Sequence, residues 1–345
     1  MKLLVCAMEP SANLHLTAMA KELKDTSFIG IFDESLGAPL YSPNEFSVLG
    51  LIDVLWVIRK AKRAIKDLVQ AAADADKVLL IDSPAFNIPL AKALKQAYPQ
   101  KEIIYYILPK VWAWKRKRAK KVLAYTDKQL SIFPFEDQFY PTATYVGNPL
   151  MDEIKEYKQS LSANDTIAYL AGSRKGEVRR LMPELKKIQA RLSDKRSVLV
   201  IPPRFSQSEI EELYGDISMF EVSRDTHKTA LEASFAFAFS GTATLEIALI
   251  GTPLILLAKV NGFEFKIMRK LVKLPFIGLA NIMFDFKGLE AMHPEFLQDD
   301  INIDTIIETY EKMDREKFFA KSLELRTMLQ KNANKKVAEI IATSL

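Results

Sequence analysis

Phe235-Ala236-Phe237-Ala238-Phe239-Ser240-Gly241-Thr242-Ala243-Thr244-Leu245-Glu246 is the stretch that decides the fold. Its first half is uncharged and carries three aromatics, which suits a buried strand of a parallel sheet. Ser240-Gly241-Thr242 breaks the run. Thr244 to Ile250 then has a helical pattern that ends at Gly251. A strand, a tight turn and a helix aim the helix N-terminus, with its unpaired N–H groups and the positive end of its dipole, out of the carboxyl edge of the sheet. A diphosphate can rest on such an end. The same residues also admit a plainer reading, with Ser240 capping the helix and Gly241 turning the chain.

Outward from this stretch, the chain alternates strands and helices twice. Lys2–Met8, Phe28–Phe32, Lys77–Asp82, Ile103–Ile107, Gln129–Phe133 and Tyr145-Val146 read as strands of one half. Thr166–Leu170, Val198–Ile201, Phe220–Val222, the opening run and Pro253–Ala258 read as strands of a second. The pattern predicts two Rossmann-like, doubly wound α/β domains facing across a cleft. Boundaries are expected at 1–160 and 161–316, with helices over 317–345 returning to the first domain or to a partner subunit.

Composition narrows the function classes. The chain has 345 residues, 49% of them apolar, and a net charge of +5, a mild excess that favours acidic ligands or surfaces over committed nucleic-acid binding. Cys6 is the only cysteine, so an internal disulfide and a cysteine zinc cluster are both excluded, and a reducing, cytoplasmic compartment fits. The three histidines, His15, His227 and His293, have no metal-site spacing. G-x-G-x-x-G and G-x-x-x-x-G-K-[ST] runs are both absent, which argues against a dinucleotide site and a P-loop. No apolar run approaches the ~20 residues of a spanning helix.

In doubly wound folds, ligands bind beyond the carboxyl ends of the strands. The polar residues there are Glu9, Ser11, Asp82 and Asn87 in the first half, and Ser173, Arg174, Ser240, Gly241, Thr242 and Glu246 in the second. Asp82 ends an apolar strand, where partial desolvation raises a carboxylate toward general-base strength; capping the next helix is its other reading. Glu9 can orient a substrate hydroxyl or simply face solvent. Arg174 offers a fork to phosphate oxygens, or a surface pair to Glu177. Glu246 can hold a ribose diol, and also suits the helix dipole without any ligand. Trp112-Ala113-Trp114 runs into Lys115-Arg116-Lys117-Arg118-Ala119-Lys120-Lys121, read here as a solvated helix face and not as a nucleic-acid site. Leu51, Ile52, Val54, Leu55 and Ile58 lead directly into Arg59 and Lys60, the pattern of a helix lying in an anionic membrane interface; a buried helix or a subunit interface is the alternative.

Taken together, these residues resemble the lipid-A-disaccharide synthases, inverting glycosyltransferases of the two-Rossmann-domain (GT-B) type. The carriers are Glu9-Pro10-Ser11, Gly50, Ile81-Asp82-Ser83-Pro84-Ala85-Phe86-Asn87 and Val111-Trp112-Ala113-Trp114-Lys115. Phe133-Pro134-Phe135-Glu136, Gly147-Asn148-Pro149, Gly172-Ser173-Arg174, Ser240–Glu246, Asn281 and Phe296-Leu297-Gln298 continue the set. The first loop departs from the family's usual G-E-x-S-G-D at Met8, Ala12 and Asn13, and Ala85 stands where a second aspartate is usual.

The resemblance implies condensation of UDP-2,3-diacylglucosamine with 2,3-diacylglucosamine 1-phosphate (lipid X) to a β-1,6-linked disaccharide phosphate and UDP, in lipid A biosynthesis. Asp82 would be the base. Ser173, Arg174, Ser240, Gly241 and Thr242 would hold the diphosphate, Glu246 the ribose, and Asn281 and Gln298 the nucleotide side. Glu9, Ser11 and Asn87 would form the acceptor loop. Neither cofactor nor metal is expected. The enzyme would be peripheral at the cytoplasmic face of the inner membrane, with a homodimer as a further expectation. The alternatives are another UDP-sugar enzyme of the same fold, a muropeptide-lipid N-acetylglucosamine transferase or an epimerase, and an inactive peripheral lipid-binding protein.

Overall fold

The computed structural model describes residues 1–46, 53–262, 265, 272 and 274–343, and of 53–57 the backbone alone. Leu51 and Ile52, and the side chains of Val54 and Leu55, lie outside the described residues. The chain divides into two units, Met1–Asp152 with Leu329–Leu345, and Glu153–Met328.

The first unit contains β1 (Lys2–Ala7), α1 (Pro10–Ala20), β2 (Ser27–Ile31), α2 (Asp53–Ala71), β3 (Lys77–Ile81), α3 (Pro84–Ala97), β4 (Glu102–Tyr106), α4 (Lys117–Tyr125), β5 (Lys128–Ser131), β6 (Thr144–Tyr145) and the short α5 (Leu150–Glu153). Its strands are parallel in the order β2-β1-β3-β4-β5-β6, and a single bridge from Ile31 to Tyr41 adds the stub of a further strand beside β2. Fully buried Val-Leu-Leu-Ile and Leu-Leu-Val runs in β3 and β1 need cover on both faces, as crossover helices provide. Ala64, Leu68, Phe86, Leu90, Leu94 and Val122 of α2, α3 and α4 cover one face.

The second unit contains β7 (Thr166–Leu170), α6 (Lys175–Arg191), β8 (Arg196–Val200), α7 (Gln207–Tyr214), β9 (Glu221–Ser223), α8 (Thr226–Glu232), β10 (Phe235–Phe239), α9 (Thr242–Ile250), β11 (Leu254–Ala258), α10 (Leu279–Phe286), β12 (Glu295–Leu297), α11 (Ile303–Lys312) and α12 (Arg315–Met328). The parallel order is β12-β11-β10-β7-β8-β9. The alternating phenylalanines of β10 share one face of the strand. Phe235 meets Tyr310 edge-on at 4.7 Å, and Phe237 stacks on Tyr169 at 5.7 Å. Each such burial contributes roughly 1.5–3 kcal/mol.

α13 (Ala333–Thr343) returns to the first unit, where Val337, Ala338 and Ile341 pack with Ala12, Leu16 and Leu3 on the face opposite α2–α4. The boundaries therefore differ from those expected at 160/161 and 316/317. Residues 153–160 run with the second unit, where the Lys158 N–H donates to the Ile250 carbonyl at 2.9 Å. α12 also stays there. Arg326 Nε donates to the Leu249 carbonyl at 2.7 Å and its Nη2 to that of Ile250 at 2.9 Å, so its guanidinium covers the orphan carbonyls at the end of α9.

Candidate functional site

Strand order reverses direction of growth once in each sheet, between β1 and β3 and between β7 and β10. The loops leaving those strand pairs frame the candidate sites. In the second unit, Ala171–Arg174 follow β7 and Ser240-Gly241 follow β10. Ser173, Arg174, Ser240, Gly241 and Thr242 line one cavity of about 400 Å³, with Pro202, Pro203 and Thr226. Five of the expected donor residues thus converge.

The two helix N-termini at this cavity differ. At α6, the Glu177 carboxylate folds back and its Oε2 accepts from the N–H groups of Ser173 and Arg174, each at 3.0 Å. That anion seat is already filled by the chain's own acid. Gly172 makes the fold-back possible. Its φ is +106°, and a Cβ there would stand 2.8 Å from the Glu177 side chain. At α9, the capping position is Gly241, and no side chain caps the helix, so Ser240 does not play the capping role open to it. Thr244 is turned inward, its N–H and hydroxyl both donating to the Gly241 carbonyl, at 3.2 and 2.7 Å. A Cβ on Gly241 would meet nothing within 4 Å. The α9 end therefore opens onto free space in the cavity, a seat for an anion. Arg174 extends beside it, its side chain 82% exposed and 3.4 Å from Glu177 Oε1, so the surface pair exists but leaves the guanidinium accessible.

Glu246 stands outside the cavity lining. Burial foremost, then the neighbouring Glu153 and Asp225 carboxylates, push its carboxyl up to about 7. Its Oε1 is 3.8 Å from His227 Nδ1, and both His227 ring nitrogens are buried without a hydrogen-bond partner among the described residues.

Asn281 and Gln298 do not reach this cavity. Asn281 is fully buried. Its amide donates to the His293 carbonyl and to Glu295 Oε1, both at 2.8 Å, and its oxygen accepts from the N–H groups of Met292 and His293. Gln298 pairs through both amide atoms with the Val260 backbone at 3.0 Å. Both brace the β11–β12 end of the sheet, and Gln298 also lines a separate cavity of about 440 Å³ with Pro275, Ile277 and Leu297.

In the first unit, Asp82 follows β3 with φ +50°, and Ser83 follows with φ +43°. Two successive left-handed residues hold a strained turn whose carbonyl, at Asp82, accepts from the Tyr105 hydroxyl at 2.6 Å and the Asn87 amide at 2.8 Å. Burial raises the Asp82 carboxyl above its ordinary value; the Lys110 ammonium and the Ser83 N–H oppose that rise, and Glu9 reinforces it. Ser83, not Asp82, occupies the capping position of α3, and makes no cap bond. Asn87 is fully buried and acts on the backbone, not at the surface of the loop. Ser11 is exposed on α1 and lines no described cavity, whereas Glu9 lines one of about 540 Å³ with Asn13 and Asp33.

Sequence reasoning misses Asn13. Its amide donates to the carbonyls of Ala7 at 2.8 Å and Glu9 at 3.0 Å, and its oxygen accepts from the Asp33 N–H at 2.7 Å. It repeats at β1 what Asn87 does at β3. Pro202-Pro203 is missed too, although its position after β8 is the signal that selects the other loops.

Of the expected membrane residues, Ile58 is 47% exposed and Arg59 is exposed. Lys60 is instead tied to Glu45 at 2.6 Å and lies over the Phe46 ring, because α2 is docked there by Ala61 and Ala64. Among the described residues no helix is long and apolar enough to cross a membrane, and no three metal-ligating side chains are grouped to hold an ion.

The fold is the GT-B arrangement of sugar-nucleotide enzymes. It matches the structure of UDP-GlcNAc 2-epimerase from Neisseria meningitidis bound to UDP-GlcNAc, with a TM-score of 0.61 at 11% identity over 100% of both chains. It also matches the glycotransferase of kitacinnamycin, with a TM-score of 0.58 at 15% identity over 99% of this chain and 97% of the other. Within that class the chain belongs to the lipid-A-disaccharide synthase family, glycosyltransferases whose family model, described as lipid-A-disaccharide synthetase, matches residues 3–342. Lipid-A-disaccharide synthase from Campylobacter jejuni strain RM1221 is 47% identical over 98% of each chain. That of Helicobacter pylori strain J99 is 45% identical over 99% of this chain and 98% of its own.

Proposed function

We propose that the chain transfers 2,3-diacylglucosamine from its UDP carrier to the 6-hydroxyl of 2,3-diacylglucosamine 1-phosphate. The C1–O bond to UDP breaks, a β-1,6 bond forms, and the hydroxyl proton passes to Asp82. The observation that carries this reading is the open α9 N-terminus flanked by Arg174 in a cavity at the second unit's switch point. It is suited to the charge that develops on a departing diphosphate. The raised Asp82 carboxyl, held in a turn fixed by Tyr105 and Asn87, is suited to a general base. Glu246 would take the ribose diol. The reading calls for no metal and no cofactor, since fixed dipoles and a guanidinium meet the diphosphate charge. The exposed Ile58 and Arg59 support docking at an anionic bilayer, where both acylated substrates reside.

The test supplies purified protein with both lipids and measures disaccharide. Wild type should form it. Asp82→Ala should lose nearly all turnover, at least 10²-fold, with UDP binding intact. No product from wild type under conditions where the lipids bind would overturn the transferase reading. Undiminished turnover in Asp82→Ala would remove Asp82 from the role of base.

A further inference from the structure

We propose that the groove between α3 and α4 of the first unit binds a phosphomonoester borne by a lipid. On the reading above, which this inference extends, it is the 1-phosphate of the acceptor. The groove encloses about 390 Å³. Pro84, Ile88 and Pro89 form an apolar floor, and Lys92, Arg118 and Lys121 stand around it. No carboxylate lines it.

The three cations set this groove apart from a solvated helix face. They come from two helices, Lys92 from α3 and Arg118 and Lys121 from α4, the latter pair spaced three residues apart on one face. None has a carboxylate partner among the described residues. Lys60, Lys77, Lys95 and Lys128 of the same unit are each paired, with Glu45, Glu102, Asp127 and Glu102. Three like charges around one concavity repel one another unless an anion joins them. A phosphomonoester carries about −1.5 to −2 near neutral pH and three acceptor oxygens, a match in charge and number that a diester does not offer. The apolar floor suits the carbon skeleton attached to such a phosphate. The groove opens at Pro84, two residues beyond Asp82, so a sugar held by its phosphate there would lie with its far side toward the proposed base.

The test uses two lipids in detergent micelles, 2,3-diacylglucosamine 1-phosphate and the same lipid without its phosphate. Two variants are compared with wild type, Lys92→Gln with Lys121→Gln, and Lys92→Glu with Lys121→Glu. Both positions are exposed on their helices, and glutamine and glutamate are good helix formers, so folding is not at risk. Both variants should bind the phosphorylated lipid at least about tenfold more weakly, with the phosphate-free lipid and UDP-N-acetylglucosamine bound as by wild type. Equal weakening for both lipids, or none for either, would overturn the proposal. So would an equal loss on phosphatidylglycerol and phosphatidic acid vesicles, which identifies a diffuse basic surface, or displacement by inorganic phosphate as effective as by the lipid. Phosphate-dependent binding in a wild type that makes no disaccharide would leave the groove standing and remove the reaction.

Discussion

Glu246 and Gly241 lie five residues apart on one turn and a half of helix, and their environments assign them different tests. The Glu246 carboxyl holds its proton up to about 7, above its ordinary 4.5. The folded protein therefore binds more protons than the unfolded chain between those values, and Glu246 works against stability as pH rises through that window. A ribose diol needs the ionised form. Affinity for UDP-N-acetylglucosamine, whose diphosphate has no group titrating there, should rise between roughly pH 6 and 8, and Glu246→Gln should flatten the profile. Calorimetry across that range reads it directly. Gly241 is not required by its backbone, since φ 168° is extended and a Cβ would meet open space. Gly241→Ala should melt with wild type yet bind the nucleotide sugar at least about tenfold more weakly, because the added methyl occupies the approach to the α9 amides. For Asp82, the raised carboxyl predicts that kcat/KM falls as pH drops through a pKa above the usual aspartate range, and that Asp82→Asn loses turnover at all pH.

The elements show how two buried asparagines fix the switch-point turn of the first unit. Asn13 and Asn87 each sit in the first turn and a half of a helix and donate back to the end of the preceding strand. Asn87→Ala leaves the Ile81 and Asp82 carbonyls short of a donor and should cost about 2–3 kcal/mol, read by urea unfolding, with turnover lost beyond what stability explains. The sequence makes the strand–loop–helix alternation plain because apolar runs of five mark the strands, as in β3 and β10. It also makes plain the five residues that line the second unit's cavity, because each lies within four residues of a strand end. It does not reveal that Asn87 and Asn281 are fully buried or that Gln298 is held to the Val260 backbone. Side-chain direction at a turn is set by backbone dihedrals, such as the left-handed Asp82, Ser83 and Gln298, which residue type alone does not announce. The Glu177 fold-back was hidden for the same reason, since its N–H partners are created by the Gly172 turn.

Across the whole molecule, the chain passes between the units twice, at 152/153 and 328/329. Gly147, with φ +100°, lets the returning backbone approach. A Cβ there would stand 2.7 Å from the Gln330 carbonyl, which the Asn148 N–H meets at 2.9 Å. Tyr145 receives the Gln330 N–H at 3.0 Å, and the Lys77 ammonium reaches the Ile341 carbonyl. Removal of residues from 329 onward should therefore expose the Leu3–Leu16 face and unfold the first unit, while the second still binds UDP-N-acetylglucosamine; circular dichroism and nucleotide binding measured together check it. The boundaries differ from those expected because 317–345 reads from sequence as one charged helical tail, whereas Arg326 on the Leu249 and Ile250 carbonyls and Lys321 on those of Glu290 and Ala291 hold α12 to the second unit.

This return also orders events during synthesis. The helix that completes the core of the first unit begins about 180 residues downstream of that unit's last preceding segment. At ~5–20 residues per second, a ribosome needs about 10–40 s to reach it. Through that interval one face of the six-stranded sheet is covered only in part, by α1, while the second unit can close as soon as its own residues are out. Nascent chains stalled before α13 should therefore be chaperone clients through their first half.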